Sequence, residues 1–171
     1  SSAASDVYKR QALSGNDNTD ADPEVLVAIG ELSTSIGAAD ITEVEMVTTT
    51  ADKSEGFTIS VRVRYNEPVD VVTTGGTPTL AVTNDNSGTG SGRGPHSLSY
   101  ASGTGTNELI FSLAIAAANA ATNADDVLSV GAQTIALNSG TIKDASGTAS
   151  DAALVISGAV GTAAGTVTVT A

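Results

Sequence analysis

His96 is the only histidine in the chain. It stands in "GRGPHSLSY" with Ser97 and Ser99 close behind. A catalytic triad needs a base held by an orienting acid beside a nucleophile. This stretch has serines but no recognisable elbow, so His96 reads as a loop residue near the start of a strand. With one histidine and no cysteine, a zinc site would have to be built mainly from carboxylates, an unusual ligand set.

Carboxylate pairs are the next source of chemistry. Glu43 and Glu45 fall on one face of a predicted strand, about 7 Å apart by the strand rise. That spacing suits a glycosidase, yet no aromatic residue is placed to hold a sugar. The competing reading is a solvated strand face paired with Arg62 or Arg64 across the sheet. Asp125 and Asp126 are adjacent, so they face opposite ways in a strand or face solvent in a loop.

Oxygen-rich and glycine-rich segments complete the candidates. "NDNTDAD" puts Asn16, Asn18, Asp20 and Asp22 at alternate positions, as a calcium loop does, but without the glycine and distal glutamate of a helix–loop–helix site. A disordered acidic arm is the competing reading. "GTGSGRG" lacks the Lys-Ser/Thr and the following helix of a phosphate loop. No catalytic, cofactor-binding or metal-binding residue is therefore assigned, no cofactor is expected, and the chain is not expected to be an enzyme.

The elements that would position these groups are mostly strands. "FTISVRVRY" alternates, with Phe57, Ile59, Val61, Val63 and Tyr65 directed one way and Thr58, Ser60, Arg62 and Arg64 the other, the signature of a half-buried strand. "NELIFSLAI" repeats it with Leu109, Phe111, Leu113 and Ile115. Shorter strands are expected at "ITEVEMV", "VDVVT", "PTLAV", "HSLSY", "QTIAL", "AALVI" and "GTVTVT", divided by turn clusters such as "TTGGTP" and "NDNSGTGSGRGP". "NSGTIKDASGTASD" reads as tight turns, with Asn138, Gly140 and Asp144 as the turn residues. "IAAANAATNADD" reads as a connection with at most one helical turn. The closing "GTVTVT" either completes a sheet edge within the domain or adds to a neighbour's sheet; the first is preferred. Eight or nine short strands without long amphipathic helices between them indicate an all-β antiparallel sandwich.

Ahead of the strands, Asp22, Pro23 and Glu24 read as N-cap, first helical position and first-turn acid. Val25, Leu26, Ile29, Leu32 and Ile36 follow at helical spacing. An N-terminal arm is expected over residues 12–39, with a short helix or, as the alternative reading of "VLVAI", a strand, and the sandwich over residues 40–171.

Composition limits what such a body does. Of 171 residues, 40% are hydrophobic but only 3% aromatic, with no tryptophan, so the core must be aliphatic. Nineteen acidic against seven basic residues leave a net charge of −12, a surface that repels phosphate backbones and anionic headgroups. Nucleic-acid binding is not expected. No apolar run approaches the length of a membrane-spanning helix, so neither is membrane insertion.

Two resemblances add to these expectations. The opening "SSAASDVYKRQ" resembles one reading frame of a transposase-type adapter used in preparing sequencing libraries. That implies a non-native segment over residues 1–11, with the biological chain starting near Ala12. The ordered segments "VRVRYNEPVDVV", "GTPTLAV", "LSYASGTGTNELIFSLAI" and "LNSGTIKDASGTASDAAL" resemble the bacterial immunoglobulin-like repeats of large surface proteins, over about residues 41–156. The resemblance implies an immunoglobulin-like sandwich serving as spacer or binder. A single copy, where tandem copies are usual, turns the expectation towards a virion component: a bacteriophage capsid decoration or appendage subunit on the virion surface. Its partners would be capsid or other structural subunits, including further copies of itself. The alternative is a module of a secreted bacterial adhesin or cell-surface protein, located extracellularly.

Overall fold

The computed structural model of the chain describes residues 37–85, 94–119, 121–145 and 149–171. The adapter-like segment, the acidic Asn16 to Asp22 stretch and the expected helix at residues 25–36 lie outside the described residues. All the described strands belong to one unit, Ala38–Ala171.

The longest element begins at the clearest sequence signal. Strand β3 (Phe57–Val72) alternates over its first half, burying Ile59, Val61, Val63 and Tyr65 while Thr58, Ser60, Arg62 and Arg64 stay on the outer face. Strand β6 (Thr106–Ile115) pairs with it antiparallel from Phe57 opposite Ile115 to Arg64 opposite Glu108. Leu109, Phe111 and Ile115 are buried from that side, and Leu113 is partly covered. The expected "VDVVT" strand is the far end of β3, not a separate element. Pro68 has no N–H to give to a ladder, and the register slips between Arg64 and Val69. Beyond the slip, Val69–Val72 pair with a new partner, β9 (Thr141–Asp144).

The remaining strands wrap around this pair. Strand β1 (Ile41–Met46) lies antiparallel on the other side of β3. Strand β5 (His96–Ser102) continues from β6, and β4 (Thr79–Asn84) continues from β5. The final two residues of β4 pair instead with β7 (Val127–Ser129), so β4 carries the ladder from one layer into the next. Strand β11 (Thr166–Thr170) follows β7, and β2 (Ala51–Asp52) closes the series parallel to β11. The order is β1-β3-β6-β5-β4-β7-β11-β2, with β9 attached to β3 and a separate two-stranded sheet of β8 (Gln133–Thr134) and β10 (Val155–Ile156). The result is an all-β, sandwich-like fold in which a curled, mainly antiparallel sheet encloses one aliphatic core. Valine, leucine and isoleucine fill it around Phe111 and Tyr65, and each fully buried side chain of this size contributes about 1.5–3 kcal/mol.

Several local expectations need correction. "TIKD" is the strand β9 and not a turn, because Val69–Val72 provide a ladder for it and Ile142 reaches the core. Asn138 does take the left-handed turn conformation, at φ 52. Gly140 is needed for space: a Cβ there would lie 2.4 Å from the Gly76 carbonyl oxygen. Asp144 is buried on β9. Eleven strands are present among the described residues where eight or nine were expected, the extra ones being two to four residues long. One pair, β2 with β11, is parallel. The closing "GTVTVT" pairs inside the chain on both sides, in agreement with the preferred reading.

A helix appears where none was expected. Helix α1 (Gly158–Ala163) is opened by Ser157, whose hydroxyl accepts from the Val160 amide. It lies against β1, the outermost strand of its layer, and the Met46 amide donates to the Ala164 carbonyl at 2.9 Å. An uncovered strand edge invites pairing with other chains; α1 and its cap occupy part of this one.

Candidate functional site

Strand direction gives the body two poles. Ile41, Tyr65 and Glu108 mark one, since Ile41 stands opposite Tyr65 and Arg64 opposite Glu108. Phe57, Ile115, His96, Asn84, Val127 and Thr170 mark the other. The buried cluster of hydrogen-bonding side chains that includes the histidine lies at the second pole.

Three residues form it: Asn84 ends β4, His96 begins β5, and Asp126 immediately precedes β7. All are nine-tenths or more buried, Asp126 completely. The Asn84 Nδ2 donates to Asp126 Oδ2 at 2.9 Å and stands 3.4 Å from His96 Nε2. Asp126 Oδ2 also accepts from the Asn123 amide at 2.8 Å, and the Asp126 carbonyl accepts from the Val169 amide at 2.8 Å. The cluster thereby joins the β4–β5 hairpin, the connection before β7 and the last strand. Gly94 makes the approach feasible, because a Cβ there would meet the Asn84 Cβ at 2.8 Å.

His96 is thus the buried first residue of β5, not a loop residue. The alternation of β5 buries His96 and Leu98 and exposes Ser97 and Ser99, so the two serines emerge on the face opposite the imidazole. Successive strand side chains point to opposite sides, and no serine–histidine couple forms within this strand. The adjacent aspartates also divide: Asp125 is exposed at φ 72, whereas Asp126 turns inward. Sequence reasoning missed Asn84 and the inward turn of Asp126. An Asn or Asp beside an apolar strand end carries no local mark of which partner it will meet.

Glu43 and Glu45 do share a face, and each meets an arginine of β3. Glu45 pairs with Arg62, and Glu43 with Arg64 at 2.9 Å. Arg64 is gripped from the other side by Glu108, which accepts from its Nε at 2.8 Å. The Arg64 guanidinium is held protonated more firmly than usual, through the Glu108 hydrogen bond first and its charge next. Both glutamates that could have formed an acid–base pair are therefore engaged in a cross-strand charge ladder, the competing reading of the sequence.

Small hydroxylated side chains form two rows on the outer surface. Ser60, Ser112, Ser99 and Thr79 form one row across β3, β6, β5 and β4. Thr83, Ser129 and Thr166 form another across β4, β7 and β11, and the Thr83 and Ser129 hydroxyls lie 3.0 Å apart. Two shallow grooves flank α1. One, of about 200 Å³, is lined by Thr42, Glu43, Val44, Ala159, Val160 and Ala163. The other, of about 220 Å³, is lined by Ser129, Gly131, Gly161, Thr162, Gly165 and Thr166. The one charged lining residue, Glu43, already holds Arg64. Among the described residues no three His, Asp or Glu side chains are grouped to hold a metal ion, and no helix is long and apolar enough to cross a membrane.

The class of protein defined by these features is an all-β, sandwich-like body with a buried polar cluster at one pole and hydroxyl-rich outer faces. No family model, curated protein or solved structure matches the chain.

Proposed function

We propose that this chain is a non-enzymatic structural module of immunoglobulin-like type, exposed on a bacteriophage virion as a capsid decoration or appendage subunit, with other structural subunits as its partners. The strand order supports the immunoglobulin-like part of this reading. An immunoglobulin sandwich places its first, second, fifth and fourth strands in one layer and its third, sixth and seventh in the other. Counting β1 and β2 as one divided first strand, β3, β6 and β5 complete the first group, and β4, β7 and β11 form the second. Among the described residues, Glu43, Glu45, His96 and Asp126 are engaged in cross-strand pairs and the buried cluster, which leaves rows of hydroxyl side chains on the outside for contact. Mass spectrometry of purified particles is the test. Recovery of the chain in fixed stoichiometry with the major capsid protein supports the virion reading. Recovery only from cell envelopes or culture fluid overturns it.

That outcome would favour the second reading, an immunoglobulin-like module of a secreted adhesin or cell-surface protein, which rests on the resemblance of residues 41–156 to the repeats of such proteins.

A further inference from the structure

The outer edge of β4 is closed by three different partners at alternate residues. The Thr79 amide donates to the Ala136 carbonyl at 2.8 Å, and the Ala136 amide donates back at 3.0 Å. Thr83 stands opposite Ser129 of β7. Between these points the chain leaves β4, because seven residue steps from Ser129 to Ala136 face only four from Thr79 to Thr83. The surplus forms a detour over residues 130–135 that contains β8. Val130 and Ile135 are five positions apart and would point to opposite faces of an unbroken strand; the detour lets both be buried. It also takes the backbone away from Ala81, and the Gln133 side chain fills that place. Its Oε1 accepts from the Ala81 amide at 2.8 Å, while its Nε2 donates to the Ala81 carbonyl at 2.7 Å and to the Val130 carbonyl at 2.9 Å. A side-chain amide offers the donor and acceptor of a peptide group, so Gln133 stands in for a strand residue.

We propose that Gln133 is a latch: it fastens the detour to β4, and its release lets residues 130–136 and 154–164 open together while the β3–β6 ladder stays folded. The two segments form one cover. Val155 stands opposite Thr134 and Ile156 opposite Gln133, and the Ile135 amide donates to the Leu154 carbonyl at 2.9 Å. Helix α1 packs so closely on the detour that a Cβ at Gly161 would lie 2.4 Å from the Gly131 carbonyl oxygen. From there the second segment reaches β1, where the Ala164 carbonyl accepts from the Met46 amide at 2.9 Å. One cover thus closes the outer edges of both β4 and β1, and uncovered edges invite pairing with other chains. Its own ladder is short, since β8 and β10 contribute two residues each. Segments with few backbone bonds open at lower free energy than core strands, so the three bonds of one side chain weigh heavily in keeping this cover shut. The latch works alike whether the module stands on a virion or on a cell.

Hydrogen–deuterium exchange on the full chain, read by mass spectrometry, tests the latch. Gln133→Ala should speed exchange about tenfold or more, by a common factor, at residues 79–82, 130–136 and 154–164 and at Met46, and leave residues 57–63 and 109–115 at the parent's rate. Gln133→Glu gives a second reading. Its carboxylate can accept from the Ala81 amide but cannot donate to the two carbonyls, so the cover should exchange faster than the parent's at pH about 7. Protonation restores one donor, so the difference from the parent should shrink at pH about 4. Acceleration confined to Ala81, acceleration spread equally over residues 57–63 and 109–115, or a Gln133→Glu difference that is the same at both pH values would overturn the proposal.

Discussion

Asn84 and Asp126 lie 42 positions apart in the chain and meet through a fully buried amide–carboxylate hydrogen bond of 2.9 Å. The bond ties the end of β4 to the connection that leads into its neighbour β7, with His96 of β5 against the same amide. Deleting the Asn84 amide removes one of the bonds that the buried Asp126 Oδ2 accepts, the Asn123 amide at 2.8 Å supplying another. Asn84→Ala is expected to destabilise the fold by about 1–3 kcal/mol, read as a lowered urea midpoint at unchanged slope. A loss near zero would show that the cluster does not hold the β4–β5 hairpin to the connection before β7.

Tyr65 gives the protein an alkaline limit. Its ring is buried, its hydroxyl donates to the Ala153 carbonyl at 2.8 Å, and burial pushes the phenol well above its ordinary range. Below pH about 10 the phenol is neutral folded and unfolded, and its contribution is complete. Above that pH the unfolded chain releases the proton and the folded chain keeps it, so stability falls by as much as about 1.4 kcal/mol per pH unit. Tyr65→Phe should cost about 1 kcal/mol at neutral pH and flatten the decline. Denaturation midpoints from pH 8 to 11 for the two proteins check this.

The charge ladder is a surface feature and should behave as one. Arg64→Met removes the partner of both Glu43 and Glu108. Exposed pairs contribute little and are screened by salt. The variant should unfold slightly earlier than the parent in dilute buffer and together with it in about 1 M salt. A large loss that persists at high salt would assign Arg64 a packing role.

Gly103 and Gly105 flank the tip of the β5–β6 turn and separate conformation from space. Gly105, at φ 84, has nothing near the position of a Cβ, so Gly105→Ala should cost about 1–2 kcal/mol for the left-handed backbone alone. Gly103, at φ 120, would place a Cβ 2.1 Å from the Glu108 carbonyl oxygen. Gly103→Ala should therefore cost more than Gly105→Ala. Thermal denaturation of the two variants compares them directly; equal losses would remove the steric argument.

Strands with strong alternation were legible in the sequence, and the shortest ones were not. In "FTISVRVRY" and "NELIFSLAI" every second side chain is aliphatic or aromatic, so the faces of β3 and β6 follow from strand geometry itself. Strands β2, β7 and β9 span two to four residues, too few for a pattern, and exist because a neighbouring ladder accepts them. The candidate site was legible only in part. A strand beginning near His96 was legible though not the residue's burial within it, and the cross-strand option for Glu43 and Glu45 was visible in the arginines on the outer face of β3. Asn84 and the burial of Asp126 could not be anticipated.

Composition and period-two alternation by themselves determined an all-β body with an aliphatic, cysteine-free interior and an acidic exterior, because side-chain direction along a strand is a local property. Only the tertiary structure decided which strands are neighbours, that Asn84 and His96 meet Asp126, that Arg64 stands between Glu43 and Glu108, and that β2 runs alongside β11. Those pairings join residues far apart in the chain, and their partners are selected by packing and register across the whole sheet, which no single stretch of residues encodes.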